Sequence, residues 1–400
     1  MNNNKKLKMK EVGNEYMEQY NDLLRYVFQV TDQELDSIDW EEKEIIRAKF
    51  PTFQRAEVIG WFDGDTLVSQ VAVYPMKIRI FNKTYNMGGL TGVGTYPEYS
   101  NQGLMHKLLE TALKKMKENG QYISYLYPYS IPYYRRKGWE IVSNKITYEI
   151  SDYQLPKNHQ VSGNVKRVKY DSETYEKFAM HTNGAILRDD LAWNEYWLWD
   201  PDDMMAAIYY NKNGEPDGYV IYWISEEIFH IKDMIFNNEE ARTGLWNFIS
   251  AHFSMIDKVE GNTYTDEKLS FLLEDSSIKE TISPYFMARI VDFVGFMKEY
   301  RFKKSHNENR TWKFVLTDPM LEENQGTFCI NIDKDGKANV EKINETCNDE
   351  ISIQTMTTML MGYKRPEYLY KIGRIKTDKK IVEMLENSVK QDVPYISDYF

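Results

Sequence analysis

GGLTGVGTYPEYSNQGLMHKLLETALKKMKENGQYISYLYPYSIPYYRRK, residues Gly88–Lys137, reads as strand, turn, amphipathic helix, strand and short helix. The strand begins near Gly89 and carries Val93-Gly94-Thr95. Pro97 has no N–H, so ordinary ladder pairing stops there. Gly103 opens a helix whose apolar residues, Leu104, Met105, Leu108, Leu109, Ala112, Leu113 and Met116, fall on one stripe. Asn119-Gly120 supplies a left-handed stop. A helix whose first free N–H groups follow a glycine-containing loop suits a pyrophosphate, because those donors and the dipole both favour anions.

Ser100-x-x-Gly103-x-Met105 stands where GNAT acetyltransferases carry the Q/R-x-x-G-x-G/A acetyl-CoA turn. Ser100 replaces Gln or Arg there, and Met105 replaces Gly or Ala. The wider run, GGLTGVGTYPEYSNQGLM followed by LYPYSIPYYRRKGWE, resembles the Eis-type (enhanced intracellular survival) subfamily. The resemblance extends over the whole chain. It implies an α+β (mixed α/β) protein of tandem GNAT acyl-CoA N-acyltransferase folds plus a C-terminal sterol-carrier-protein-like domain. The first GNAT domain is expected over residues 1–150, the second GNAT-like domain over 151–290 and the third domain over 291–400.

Four hundred residues exceed one ordinary core, so two or three domains are expected. A hydrophobic fraction of 42%, with 14% aromatic, excludes general disorder. The net charge of −11 argues against nucleic acid and suits a cationic substrate, although an acidic chain is also simply well solvated. Cys329 and Cys347 have no metal spacing, and two thiols in such a chain suggest a reducing cytoplasm. MNNNKKLKMK lacks the apolar stretch of a signal peptide. No run approaches the ~18 apolar residues of a membrane span. No cluster has ligand spacing, so no metal is expected.

Around the opening stretch the order is helices, antiparallel strands, the Gly88 strand, the Gly103 helix and the strand Tyr122–Tyr127. Tyr16, Tyr20, Leu23, Leu24, Val27 and Phe28 form one helix face. Thr31-Asp32-Gln33-Glu34 is a capping start for a second, short helix. Glu57–Phe62 and Thr66–Tyr74 flank the hairpin turn Asp63-Gly64, and Met76–Phe81 pairs onward across Asn82-Lys83. A single strand is expected over Ile141–Ile150. The aromatic run Arg188–Asp200 reads as a packed helix at a domain interface. Met287–Tyr300 resembles the subfamily's lead into its third domain.

Amide formation from a thioester needs a base, an acid and an oxyanion donor. By resemblance Tyr134 occupies the tyrosine of the family's Y-x-R-x-G segment and is the expected general acid, with Tyr133 beside it as a decoy. Arg135 and Arg136 are expected to lower its pKa. In Eis-type proteins the C-terminal carboxylate is the general base, which assigns that role to Phe400. VPYISDYF is more apolar than a solvated tail, so docking is expected, with Asp398 nearby raising the carboxyl. A Glu or Asp on the helical roof of the cleft is the alternative base. For acetyl-CoA, Val93 and Thr95, with Gly94 between them, are expected to pair with the pantetheine amides as an added strand does. The backbone of Asn101, Gln102, Gly103, Leu104, Met105 and His106 is expected to hold the pyrophosphate. Tyr129-Ser130 aligns with another cofactor contact.

The expected activity is direct N-acetylation of a primary amine, with aminoglycosides, polyamines or lysine as acceptors. The resemblance also implies a homo-oligomer, with a hexamer as the expected form. A non-enzymatic lipid or small-molecule binder with a degenerate turn remains the alternative, as does a longer acyl donor.

Overall fold

The computed structural model describes residues 7–31, 50, 53–168, 172–197, 204–266, 268–306 and 310–400. The second helix expected after Thr31 therefore lies outside the described residues.

Three mixed sheets carry the chain. The first is built from β1 (Lys8–Glu11), β2 (Glu57–Asp63), β3 (Thr66–Ile80), β4 (Lys83–Thr95), β5 (Ile123–Leu126) and β6 (Glu140–Ile141). A seventh strand, Met287–Ile290, comes from far along the chain and lies between β5 and β6. The Leu104–Glu118 helix covers one face with Leu108, Leu109, Ala112, Leu113 and Met116. Gly88 allows the close approach, since a Cβ there would come within 2.7 Å of the Met116 sulfur.

Pro75 sits inside β3, although the sequence divides there into two expected strands. Lys77 and Arg79 bond away from β4, to Leu187 N–H and to Ala185 C=O. Alternation places the missing N–H of Pro75 on that same edge, and β2 ends opposite Val73. The proline thus occupies the gap between two neighbours, where no donor is required.

The expected strand Ile141–Ile150 is also divided. β6 stays in the first sheet, whereas β7 (Asn144–Ser151) enters the second. That sheet runs Lys279–Pro284, β7, Lys258–Thr263, Ile228–Phe236, Pro216–Ser225, Met205–Tyr210 and Asn164–Val168. The third sheet runs Ala338–Ile343, Gly326–Ile332, Arg310–Thr317, Glu350–Ser352 and Ile375–Lys376. The first two sheets exchange strands, and one apolar cluster contains Tyr74, Ile186, Phe286, Phe314 and Ile396, from all three parts of the chain.

Among the described residues no helix is long and apolar enough to cross a membrane.

Candidate active site

β4 and β5 pair in parallel over Met87–Gly89 and Ile123–Tyr125. Beyond Gly89 the β4 ladder continues with β3 alone, and a bulge at Gly92-Val93 faces Val71. Gly92 has φ +61°, and the Tyr20 hydroxyl occupies the space a side chain there would need. The two strands therefore part, leaving β4 backbone from Leu90 onward along a cleft. The pleat and the bulge cause this, because a bulge bends its strand away from regular pairing.

At the end of β4 the chain turns through Pro97–Tyr99, and the Tyr99 hydroxyl binds Asp63 Oδ2 at 2.7 Å. Asn101 (φ +59°) and Gly103 (φ +75°) are both left-handed. This conformation sets successive N–H groups toward one side. Gly103 caps the Leu104–Glu118 helix and, having no side chain, offers no acceptor to the N-terminal N–H groups of that helix. These groups are suited to an anion. Lys137 Nζ lies 2.6 Å from His106 Nδ1, and Arg136 lines the same region, so positive charge gathers at the turn. Burial lowers the Lys137 ammonium, with Arg136 adding to the effect.

One cavity of about 1130 Å³ runs from this turn into the cleft. It is lined by every residue expected from the sequence: Val93, Gly94, Thr95, Asn101–His106, Tyr129, Ser130, Tyr134 and Phe400. Tyr129 stands at the rim, 82% exposed.

Tyr134 is carried by the short helix Ile131–Arg135, which begins at Ser130 with Pro132 in its first turn. Its ring is buried against Tyr133 and Trp139. Burial pushes the Tyr134 phenol well above its ordinary value, and the Tyr133 phenol adds to the rise. The expected lowering by Arg135 and Arg136 is not found. Arg135 turns to buried Glu140, which also binds Arg374 Nη2 at 2.6 Å. Arg136 acts on Tyr133 instead, where burial outweighs it. A raised phenol remains protonated at neutral pH and can donate.

The same helix is held from below. Gly138 has φ +96°, and the Arg289 guanidinium occupies the place of a Cβ at this position. Arg289, on the inserted strand, donates to the Lys137 carbonyl and to both Asp318 oxygens, at 2.6 and 2.7 Å. Glycine is needed here both for its backbone angle and for that close approach.

The C-terminal tail is buried from Tyr395 to Asp398. Tyr395 donates to Asp233 Oδ1 at 2.7 Å, and the Tyr285 hydroxyl donates to the Asp398 carbonyl at 2.8 Å. The Phe400 ring lies 5.3 Å from that of Phe286 and 6.3 Å from that of Tyr74. Asp398, expected to add its charge beside the terminal carboxylate, is instead paired with Arg188, Nε to Oδ1 at 2.7 Å. Burial raises the Asp398 carboxyl, and Arg188 opposes the rise.

Among the wall residues that the sequence reading did not assign to the site, three stand out. Tyr20 comes from the first helix, Tyr74 from β3, and Glu195 from the Asp190–Trp197 helix of the second unit. Glu195 is 6% exposed, and its charge adds to the burial that raises the phenols of Tyr20 and Tyr74. The described part of the aromatic run, residues 188–197, packs at the interface and also places Glu195 on the cavity wall, whereas residues 198–200 lie outside the described residues. No spacing in the sequence signals that, because the contact joins parts of the chain more than one hundred residues apart.

An acetyltransferase (GNAT) domain family matches residues 8–142, a second acetyltransferase (GNAT) domain family matches 184–290, and a sterol carrier protein domain family matches 293–397. No curated protein sequence matches the chain. Among solved structures, a protein from Enterococcus faecalis V583 described as a "Probable N-Acyltransferase" has a TM-score of 0.89 at 28% identity, covering 98% of this chain and 99% of that one. A GCN5-related N-acetyltransferase from Anabaena variabilis ATCC 29413 has a TM-score of 0.85 at 22% identity, covering 99% and 100%. Eis1 from Mycobacterium abscessus has a TM-score of 0.79 at 14% identity, covering 98% and 100%. The latter two likenesses are of fold. The chain is an N-acetyltransferase with two GNAT domains followed by a sterol carrier protein domain, the arrangement of the Eis-type proteins.

Proposed function

We propose that the chain transfers acetyl from acetyl-CoA directly to a primary amine of a cationic acceptor, in the class of aminoglycosides, polyamines or lysine side chains. The observation that carries this reading is the single cavity shared by the left-handed turn, the free stretch of β4, Tyr134 and Phe400. The turn suits the diphosphate, and the unpaired β4 backbone suits the pantetheine amides.

An alkyl ammonium has a pKa of ~10.4, so near pH 7 only about one molecule in a few thousand is neutral. In this reading the terminal carboxylate of Phe400 takes the ammonium proton, directly or through a water. The amine nitrogen then bonds to the acyl carbon as the carbon–sulfur bond breaks, and it gives up its second proton through water, the Phe400 carboxyl passing the first to solvent. The Tyr134 phenol gives its proton to the departing thiolate and regains one from solvent. No acyl-enzyme is invoked, since Cys329 and Cys347 both belong to the third domain and neither lines the cavity. Glu195 on the cavity wall and the net charge of −11 favour a cationic acceptor.

The test is release of free thiol from acetyl-, propionyl- and longer acyl-CoAs against a panel of amines, with a thermal-shift titration alongside. Acetyl-CoA is expected to raise the melting temperature. It is also expected to turn over with at least one amine class. No shift and no thiol release with any pair would overturn the reading in favour of a non-catalytic binder.

A further inference from the structure

The second GNAT domain repeats the fold but not the glycine turn, so its contribution to the reaction needs another explanation. The C-terminal tail supplies one. Residues 394–398 lie in the second domain rather than on the third, from which they emerge. Tyr395 N–H binds the Asn183 carbonyl at 2.8 Å, and Pro394 lies against Gly184. Arg188, whose side chain is 0% exposed, donates from Nε to Asp398 Oδ1 at 2.7 Å and from Nη2 to Ser397 Oγ at 3.1 Å. Its guanidinium lies 3.8 Å from the Tyr175 ring centroid and 3.7 Å from that of Tyr196. Its plane and direction are thereby held by rings that do not belong to the tail.

A buried ion pair is a poor way to gain stability. Removing both charges from water costs about as much as their attraction returns, and apolar residues of the same size serve as well or better. What the pair adds is direction, because a guanidinium fork accepts partners from defined angles. Two residues separate Asp398 from the terminus. An extended chain spans at most ~3.6 Å per residue, so an anchored Asp398 confines the Phe400 Cα, which bears the terminal carboxylate, to within about 7 Å of its own Cα. Tyr399 against Tyr127 and Phe400 against Phe286 narrow this further. Unanchored chain ends are ordinarily mobile.

We propose that Arg188 and Asp398 form a clamp through which the second domain places the Phe400 carboxylate in the first domain's cavity. Both are positioning residues. They touch no reacting atom, and the inference rests on the terminal carboxylate acting as base. The second GNAT domain thus serves the first as a holder for the base. Placement matters at this scale, since a displacement of about 1 Å can cost about a hundredfold in rate.

The test is a double-mutant cycle on the full chain. One arm is Arg188→Met with Asp398→Asn, which removes both charges together and leaves neither buried alone. The other arm is deletion of Phe400. A milder Arg188→Lys variant keeps a cation in the aromatic cage but loses the fork. The double substitution is expected to lower kcat by about tenfold or more, with the KM for acetyl-CoA and its thermal shift changed less than about twofold. Arg188→Lys is expected to fall between the double variant and the intact chain. In the chain lacking Phe400, the same substitutions are expected to change kcat by less than about twofold, because the terminal carboxylate, now on Tyr399, is drawn back by one residue and no longer acts. Equal fold-losses with and without Phe400 would overturn the clamp and leave the pair a structural role. Should the double variant fail to fold, the same comparison is made with Arg188→Lys. Deletion of Phe400 without any loss of kcat would instead overturn the base assignment itself, and the clamp with it.

Discussion

The ring of Phe400 lies against Gly89, where a Cβ would stand 2.9 Å from ring atom Cε2. Gly89 is also the last β4 residue paired with β5. Phe400 therefore meets the first domain at the point where its two central strands part. Replacing Gly89 by Ala is expected to push the ring outward and lower kcat by about tenfold or more, while acetyl-CoA still raises the melting temperature. A C-terminal tag is expected to do the same. Unchanged kcat in both would detach the terminus from the reaction.

Tyr134→Phe removes one hydroxyl from a buried ring and keeps its packing against Trp139. The expected result is a fall in kcat of about a hundredfold, in the range usual for loss of a general acid, with little change in KM for acetyl-CoA. Tyr133→Phe serves as the control and is expected to leave kcat within about threefold. Burial raises Tyr134. Its ionisation is therefore expected to impose no alkaline fall in kcat below about pH 10, the ordinary phenol value. A Tyr134→Phe enzyme with full turnover would remove the phenol from the mechanism.

Gly138→Ala is expected to destabilise by roughly 2–4 kcal/mol, from the left-handed backbone angle and from the displaced Arg289. Because Arg289 holds the carbonyl of Lys137, activity should fall more than the stability change alone explains. Urea unfolding, monitored together with turnover of the folded fraction, reads both effects. A fully active and equally stable variant would contradict the contact.

Glu195→Gln keeps the side-chain volume and removes the charge from the cavity wall. The expected effect is a rise of about tenfold or more in the KM for a polycationic acceptor, with the KM for acetyl-CoA unchanged. An unaltered acceptor KM across the amine panel would show that this carboxylate has no part in recognition.

Stability should fall in alkali. Burial raises the phenols of Tyr20, Tyr74, Tyr125, Tyr134, Tyr264 and Tyr300 above their ordinary value. The folded state therefore holds these protons at pH values where the unfolded chain has lost them. The contribution is complete below about pH 10 and is lost as pH climbs from there toward the raised values. Each phenol accounts for about 1.4 kcal/mol per pH unit in that range. Urea midpoints should be level up to about pH 9.5 and drop steeply above pH 10. A level profile through that range would mean that the phenols are less sequestered than their burial indicates.

Local pattern in the sequence was enough to determine the apolar stripe of the Leu104–Glu118 helix, the glycine turn before it and the hairpin about Asp63-Gly64. Each of these depends on residues a few positions apart, where spacing reports geometry directly. It also brought out the thirteen residues that the cavity brings together, by likeness to a family whose motif is contiguous. The tertiary structure alone decided the rest. It broke the expected strand at residue 142, inserted Met287–Ile290 between β5 and β6, and ran β3 unbroken through Pro75. It turned Arg135 toward Glu140 and Asp398 toward Arg188, and it sent Glu195 into the cavity. Apart from the Arg135–Glu140 pair, five residues apart, these outcomes rest on contacts across one hundred to more than two hundred residues, and on competition among charged partners for one buried position. Neither the spacing nor the type of a residue encodes which partner wins, because that depends on which groups the packed sheets bring within about 3 Å of each other.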